Sequence, residues 1–252
     1  MKNIIILYTI VIGAFFSQAC KNESKTTETK VVIALYDLSA SVDETSLKNY
    51  QALSESLLKK LNDGDKYLGF KISDKSLTER NAICNLTIPI FEPSTTNSII
   101  KNKEQQDHQA SKTKLIDDTK QQIISALFED HKSVQQTDIL AALQRAAQEF
   151  KNSPTANKYL IIYSDMIESE SSVNFEQKLP DATFCKNLIE KQRQNKILPD
   201  FKGVSVFVEG ANAPNNNSYN AIKQFWIDYL KACGATLEEQ NYAAHLNNIN
   251  GL

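Results

Sequence analysis

Three short stretches of this 252-residue chain carry oxygen-bearing side chains at spacings that suit chemistry. Asp37-Leu38-Ser39-Ala40-Ser41 directly follows an apolar run, Thr137 stands just ahead of a helical pattern, and Ser164-Asp165 closes a second apolar run. Alternation in an extended or turning segment sets Asp37, Ser39 and Ser41 on one side and leaves Leu38 and Ala40 to pack. Carboxylates and hydroxyls are hard ligands. A small divalent ion such as Mg2+ takes near-octahedral oxygen coordination and usually keeps some water. If Asp37, Ser39, Ser41, Thr137 and Asp165 converge, they offer a divalent-cation site, with Mg2+ ahead of Mn2+ or Ca2+. The hydroxyls also have structural explanations. Ser41 followed by Glu44 fits a capping box, and Thr137 fits the N-cap of its helix. Asp-x-Ser-x-Ser alone arises by chance in about one chain in fifteen at average residue usage, so the surrounding elements must carry the case.

Those elements alternate. Val31 to Tyr36 is a continuous apolar run of strand length, as expected for a central strand covered on both faces. Tyr50, Leu53, Leu57 and Leu61 recur at helical spacing, and Asn62-Asp63-Gly64-Asp65 is a turn signal. Tyr67–Ile72 and Ile83–Phe91 read as two strands able to form a hairpin. Residues 92–114 are rich in Lys, Gln, Asn and Ser and read as a polar surface excursion inserted in the domain. Helices are expected around Ile116–Phe128, Ile139–Phe150, Phe184–Ile189 and Ile222–Leu230, the last stopping at Gly234. Tyr159–Tyr163 and Val204–Val208 are two more buried strands, and residues 166–182 read as a loop. Glu168 and Glu170 in that loop offer extra carboxylates, although such charges usually face solvent. Strands alternating with helices imply an α/β fold, a three-layer doubly wound and mostly parallel sheet flanked by helices. In such sheets ligands collect beyond the carboxyl ends of the strands, where Asp37 and Asp165 stand.

The composition excludes several classes. Hydrophobic residues make up 41% and charged residues 23%, an ordinary globular balance, and the formal net charge of -2 supplies no basic field for nucleic acid. No Gly-rich phosphate loop, His-Glu-x-x-His or nucleophile elbow is present. His108, His131 and His245 lie in polar contexts without ligand spacing and read as solvent-facing. The chain therefore reads as a non-enzyme, with a metal-dependent hydrolase or a purely structural scaffold as the alternatives.

The first twenty residues differ in kind. Lys2 precedes an apolar run, Ile4–Phe16, that is too short for a membrane span but suits a signal peptide. Ser17 and Ala19 then lead to Cys20, an arrangement that resembles a bacterial lipoprotein signal with Cys20 as the lipid attachment residue. Ser17 occupies the place where an aliphatic residue is usual, which leaves a plain secretory signal open. Residues 21–30 read as a flexible tether and 31–252 as the domain. Cys84, Cys185 and Cys233 remain. Export permits one disulfide among them, and buried apolar thiols are the other reading.

With its later elements in place, the chain resembles the von Willebrand factor A family and its metal-ion-dependent adhesion site. Asp37, Ser39 and Ser41, then Thr137, then Asp165 follow the family's Asp-x-Ser-x-Ser, Thr and Asp in order. The likeness covers roughly residues 30–235, with local contexts at Thr137–Leu143 and Tyr159–Asp165. It implies that the two serines and Thr137 contact a cation directly, that the aspartates do so directly or through water, and that one position stays open for a partner's carboxylate. The expected partner is therefore a protein presenting an acidic residue to an envelope lipoprotein held at the membrane by its N-terminal lipid. Met166 departs from the pattern, since Gly often follows that Asp, and so does the polar insertion before the Thr.

Overall fold

The computed structural model describes residues 28–73, 76, 82–129, 136–153, 156–246 and 248–249. The signal segment, Cys20, most of the tether and His131 lie outside the described residues.

Chain order is β1 (Lys30–Asp37), α1 (Glu44–Leu58), β2 (Lys66–Ile72), β3 (Ala82–Thr87), α2 (Ser98–Glu129), α3 (Ile139–Lys151), β4 (Asn157–Tyr163), β5 (Ser169–Glu170), β6 (Val173–Asn174), α4 (Ala182–Gln194), β7 (Val204–Glu209), α5 (Asn216–Ala232) and β8 (Tyr242–Ala243). Six strands form one sheet in the order β3-β2-β1-β4-β7-β8, and β5 and β6 form a separate small ladder. β1 pairs in parallel with β2 and β4, β4 with β7, and β7 with β8. Only β3, antiparallel to β2, breaks the direction, as the expected hairpin requires. The fold is thus the α/β, mostly parallel, doubly wound sheet flanked by helices.

Period-two alternation divides the core. Val31, Ile33 and Leu35 of β1 point to the layer of α3, α4 and α5, together with Leu160, Ile162, Val206 and Val208. Val32, Ala34 and Tyr36 point to the layer of α1 and α2, with Ile161, Tyr163 and Phe207. A strand apolar on both faces must be covered on both, and β1 is buried from Val31 to Asp37. From β1 the chain passes through α1 to β2 on one side, and later through α3 to β4 on the other. The carboxyl ends of β1 and β4 therefore flank the point where winding reverses, where such sheets open a crevice.

The polar stretch read as an excursion is different in detail. Only residues 92–97 lack regular structure; from Ser98 the chain joins a single helix of 32 residues, about 48 Å long. Its buried residues are confined to Thr119, Ile123, Ala126 and Leu127. The first half has no apolar stripe to betray it, and it gains local support such as the Lys114–Asp118 pair one turn apart. His108 likewise departs from its expected exposure. Its Nε2 lies 2.9 Å from Asp63 Oδ2, and its side chain is only 11% exposed, with the ring against Phe91. His245 is half-exposed and bonded to Glu209. Cys84, Cys185 and Cys233 are free and buried, the second of the two readings. β8 was not foreseen, because two residues carry no periodicity.

Two substitutions test this division of burial. Leu143→Ala removes a fully buried side chain from α3 and should cost about 2–5 kcal/mol in urea unfolding. Ile99→Ser, at an 80% exposed position of α2, should fall within about 0.5 kcal/mol of the parent. A large cost at Ile99 would mean that the helix is covered.

Candidate functional site

Asp37 closes β1 and is fully buried. Its Oδ1 accepts from the Ser39 N–H at 3.0 Å and its Oδ2 from the Ser164 hydroxyl at 2.7 Å. The Ser39 and Ser41 hydroxyls lie 2.9 Å apart, and Ser41 lines the same cleft as Asp165, whose carboxyl it helps to hold down. Asp165 Oδ1 accepts from the Ile167 N–H at 2.9 Å. Asp37, Ser39 and Ser41 are thus joined by hydrogen bonds, Asp165 shares a cleft with Ser41, and Ser164, which sequence reasoning passed over, links the two strand ends. Leu38 packs inward as expected, whereas Ala40 is exposed, because the segment turns at Ala40 instead of continuing to alternate.

Thr137 reaches the same edge on another support. It is buried; its N–H donates to Ser169 Oγ at 2.8 Å and its carbonyl accepts from the Ser169 N–H at 3.0 Å. Among the described residues its hydroxyl makes no hydrogen bond to the other four. The structure also disposes of both capping explanations. Asp43, not Ser41, caps α1 by accepting from the Ser46 N–H at 2.7 Å. Asp138, not Thr137, caps α3 by accepting from the Ala141 N–H at 2.8 Å. Ser41 and Thr137 are left without a capping role.

Glu168 corrects the expectation of a solvated charge. It is fully buried, and its Oε2 accepts from the N–H groups of Ile139 (3.0 Å) and Leu140 (3.1 Å) at the start of α3. Its Oε1 has no hydrogen-bond partner, and burial pushes its carboxyl well above the usual range. Sequence offered no signal for this, since the side chain contacts residues 28 and 29 positions earlier. Glu170, by contrast, binds the adjacent Ser171 and Ser172 at the surface.

Met166, next to Asp165, occupies the left-handed region at φ 69°. That conformation costs a residue with a Cβ about 1–2 kcal/mol. Packing compensates, because the Met166 side chain is fully buried and its carbonyl accepts from Trp226 Nε1 at 2.9 Å. The aromatic stripe of α5 therefore does more than fill the core: it pins the turn that presents Asp165.

Electrostatically the group is strained toward a cation. Burial first, then the charge of Asp37, pushes the Asp165 carboxyl up to about 7. A cleft of about 260 Å³ opens beside it between α1 and the β7–α5 loop, lined by Ser41, Asp43, Ser46, Tyr50, Asp165 and Asn212, among others, none of them basic. Two carboxylates and a set of hydroxyls, without a lysine or arginine among the described lining residues, fit a hard divalent ion of Mg2+ type. Among the described residues no group of three or more His, Cys, Asp or Glu side chains is placed to hold a metal ion, so hydroxyls would have to supply part of any coordination here. The residues available to hold an ion are Asp37, Ser39, Ser41 and Asp165, while Thr137, two residues before α3, is held by Ser169.

No protein-family model matches the chain, and no curated protein matches it. Solved structures do. An aerotolerance-related membrane protein from Bacteroides fragilis, carrying multiple mutations to serine, is 14% identical over 87% of this chain and 92% of that one, with a TM-score of 0.41. A von Willebrand factor type A protein from Catenulispora acidiphila is 11% identical, covering 83% of this chain and 38% of that one, with a TM-score of 0.40. The manganese-loaded TRAP protein of Plasmodium vivax is 14% identical over 86% and 68%, with a TM-score of 0.41. At identities this low, the chemistry of the site rests on its own residues.

Two outcomes check the geometry. Asp165 takes up its proton far above the ordinary carboxylate range near 3.9, so the folded state binds more protons than the unfolded one between about pH 4 and 7. In EDTA, thermal stability should therefore fall as pH rises through that window, and Asp165→Asn should flatten the slope. Met166→Gly should relieve about 1 kcal/mol of backbone strain but lose about 2–5 kcal/mol of buried packing, a net destabilisation in urea.

Proposed function

We propose that this chain is a von Willebrand factor A-type binding module that captures an acidic group on a protein partner through a divalent cation. The reading is carried by one observation. Asp37, Ser39, Ser41 and Asp165, from two separate strand ends, gather beside an open cleft that has no basic side chain among its described lining residues. Bound there, a divalent ion would neutralise two carboxylates that otherwise repel each other, and would keep electrophilic character toward a third. Mg2+ fits this donor set, and Mn2+ or Ca2+ can replace it.

The hydroxyls of Ser39 and Ser41 and the two carboxylates would hold the ion, with Thr137 completing the set from two residues before α3. Ser164 and the Ser39 N–H keep Asp37 aimed, and Ile167 keeps Asp165 aimed. Binding rather than catalysis is the proposal, because the hydroxyl that donates to a carboxylate at this edge, Ser164 to Asp37, is fully buried and also accepts from the Met166 N–H, so it is not presented to a substrate. His245, bonded to the buried Glu209, is the nearest acid–base chemistry along the sheet, and the Glu209 carboxylate is also held by the Leu246 N–H.

The proposed setting is the bacterial envelope, with Cys20 lipidated. No helix among the described residues is long and apolar enough to cross a membrane. β1 begins next to the tether at Lys30 and ends at Asp37, about 23 Å away, so an N-terminal anchor would leave the cation site facing away from the membrane.

The test is thermal unfolding with millimolar Mg2+ or Mn2+. The parent should gain several degrees and Asp37→Ala none, since the substitution removes the buried ligand. Equal responses would refute the cation site. Turnover of generic phosphoester or peptide substrates with Mn2+ that vanishes in Asp37→Ala would replace the binding module with a hydrolase.

A further inference from the structure

Four tyrosines, Tyr36, Tyr50, Tyr67 and Tyr163, are buried between the sheet and α1. Three share a hydroxyl network: Tyr36 lies 2.6 Å from the Tyr67 hydroxyl and 2.8 Å from Ser54 Oγ, which donates to the Tyr163 hydroxyl at 3.0 Å. Tyr50 is the exception. It is 1% exposed, and its ring packs on Tyr163 at 5.2 Å, yet no described residue hydrogen-bonds its hydroxyl. That hydroxyl meets Gly210, where an added Cβ would overlap it, and both residues line the cleft beside Asp165. The hydroxyl is not sealed in the core but opens on that cleft, where it is placed to donate to whatever enters.

Resting on the cation reading above, we propose that Tyr50 is a ligand-contacting residue of this cleft, its hydroxyl donating to the oxygen of the partner's carboxylate that the metal leaves free. Burial and the charges of Asp37, Asp165, Glu209 and Asp43 hold the phenol well above its ordinary pKa, so it stays a donor. None of those carboxylates takes its hydrogen. The acceptor must come from outside, and the cleft joins the hydroxyl to Asp165 and Ser41 in one space. Its volume of about 260 Å³ admits a single side chain and its flanking backbone rather than a folded element. The chemistry recognised is an Asp or Glu side chain in an extended or looped segment: one carboxylate oxygen on the cation, the other on Tyr50. Gly210 keeps that space open at φ 98°.

Tyr50→Phe removes only the hydroxyl and keeps the ring against Tyr163. The full chain and this variant are titrated first with Mn2+ alone, then, loaded with Mn2+, with the acetylated, amidated peptide Gly-Glu-Gly and its Gly-Gln-Gly counterpart. Water-proton relaxation of the bound Mn2+ is the readout. The expected result is Mn2+ affinity equal within about twofold, Glu-peptide affinity about tenfold lower in Tyr50→Phe, and no response to the Gln peptide in either protein. Equal Glu-peptide affinity in both proteins would overturn the role of Tyr50, as would indifference of the parent to Glu against Gln. Failure of the parent to bind Mn2+ at all would defeat the cation reading itself, and it would be seen before any peptide is added.

Discussion

Two carboxylates are forced together by strand pairing, and most of the molecule's upper edge can be understood as a response to that. β1 and β4 are hydrogen-bonded neighbours in register up to Tyr36 and Tyr163. Paired strands lie about 4.8 Å apart, so the residues that follow, Asp37 on one side and Ser164-Asp165 on the other, must emerge side by side. Beneath them Tyr36 and Tyr163 stack with ring centroids 4.6 Å apart and planes within 6°, closing the site from below with an apolar floor. Burial first, and then the weakly screened charge of Asp37, displaces the ionisation of Asp165. A hard cation is the simplest species that reverses the sign of this interaction.

Everything around the pair restricts its freedom. Ser164 donates to Asp37 and accepts from the Met166 N–H, so one hydroxyl couples the two strand ends. The carbonyl of Glu209 at the end of β7 accepts from the Ser164 N–H, tying in the third strand. Trp226 holds the Met166 carbonyl from α5, and Glu168 holds the start of α3, from which Thr137 extends. Each tie comes from a different element, so the oxygens are placed before any ligand arrives. Such preorganisation lowers the entropy cost of coordination. The unusual local features are all at this edge: a non-glycine residue at positive φ, a buried glutamate with an orphan oxygen, and a phenol without a partner. Away from it, the remaining non-glycine residue at positive φ among those described is Lys196, at the end of α4.

The elements differ sharply in how legible they were. Central strands such as Val31–Tyr36 and Tyr159–Tyr163 announce themselves because both faces must be apolar, and that requirement is written in consecutive residues. The amphipathic α3 and α5 are equally plain from spacing. The first half of α2 is not, since a helix that buries no apolar stripe leaves no periodic trace and is held by backbone bonds and polar ties such as His108 and Lys112 to Asp63. The distinction between Ser41 and Asp43, or Thr137 and Asp138, as caps could not be drawn from sequence either, because both neighbours are good capping residues and one step of backbone geometry decides.

Sequence by itself determined the layer architecture and pointed to the candidate oxygen-bearing side chains, because local periodicity and side-chain chemistry are properties of short stretches of chain. Only the tertiary structure decided which donors meet. Asp37 and Ser164 are 127 positions apart, and Tyr50 faces Gly210 from another element altogether. It likewise decided that Glu168 is buried and His108 paired, since burial and partnership depend on what the remainder of the chain brings alongside. Proximity between distant segments is set by the strand order β2-β1-β4-β7, which is a result of packing many elements at once and is written in no single motif.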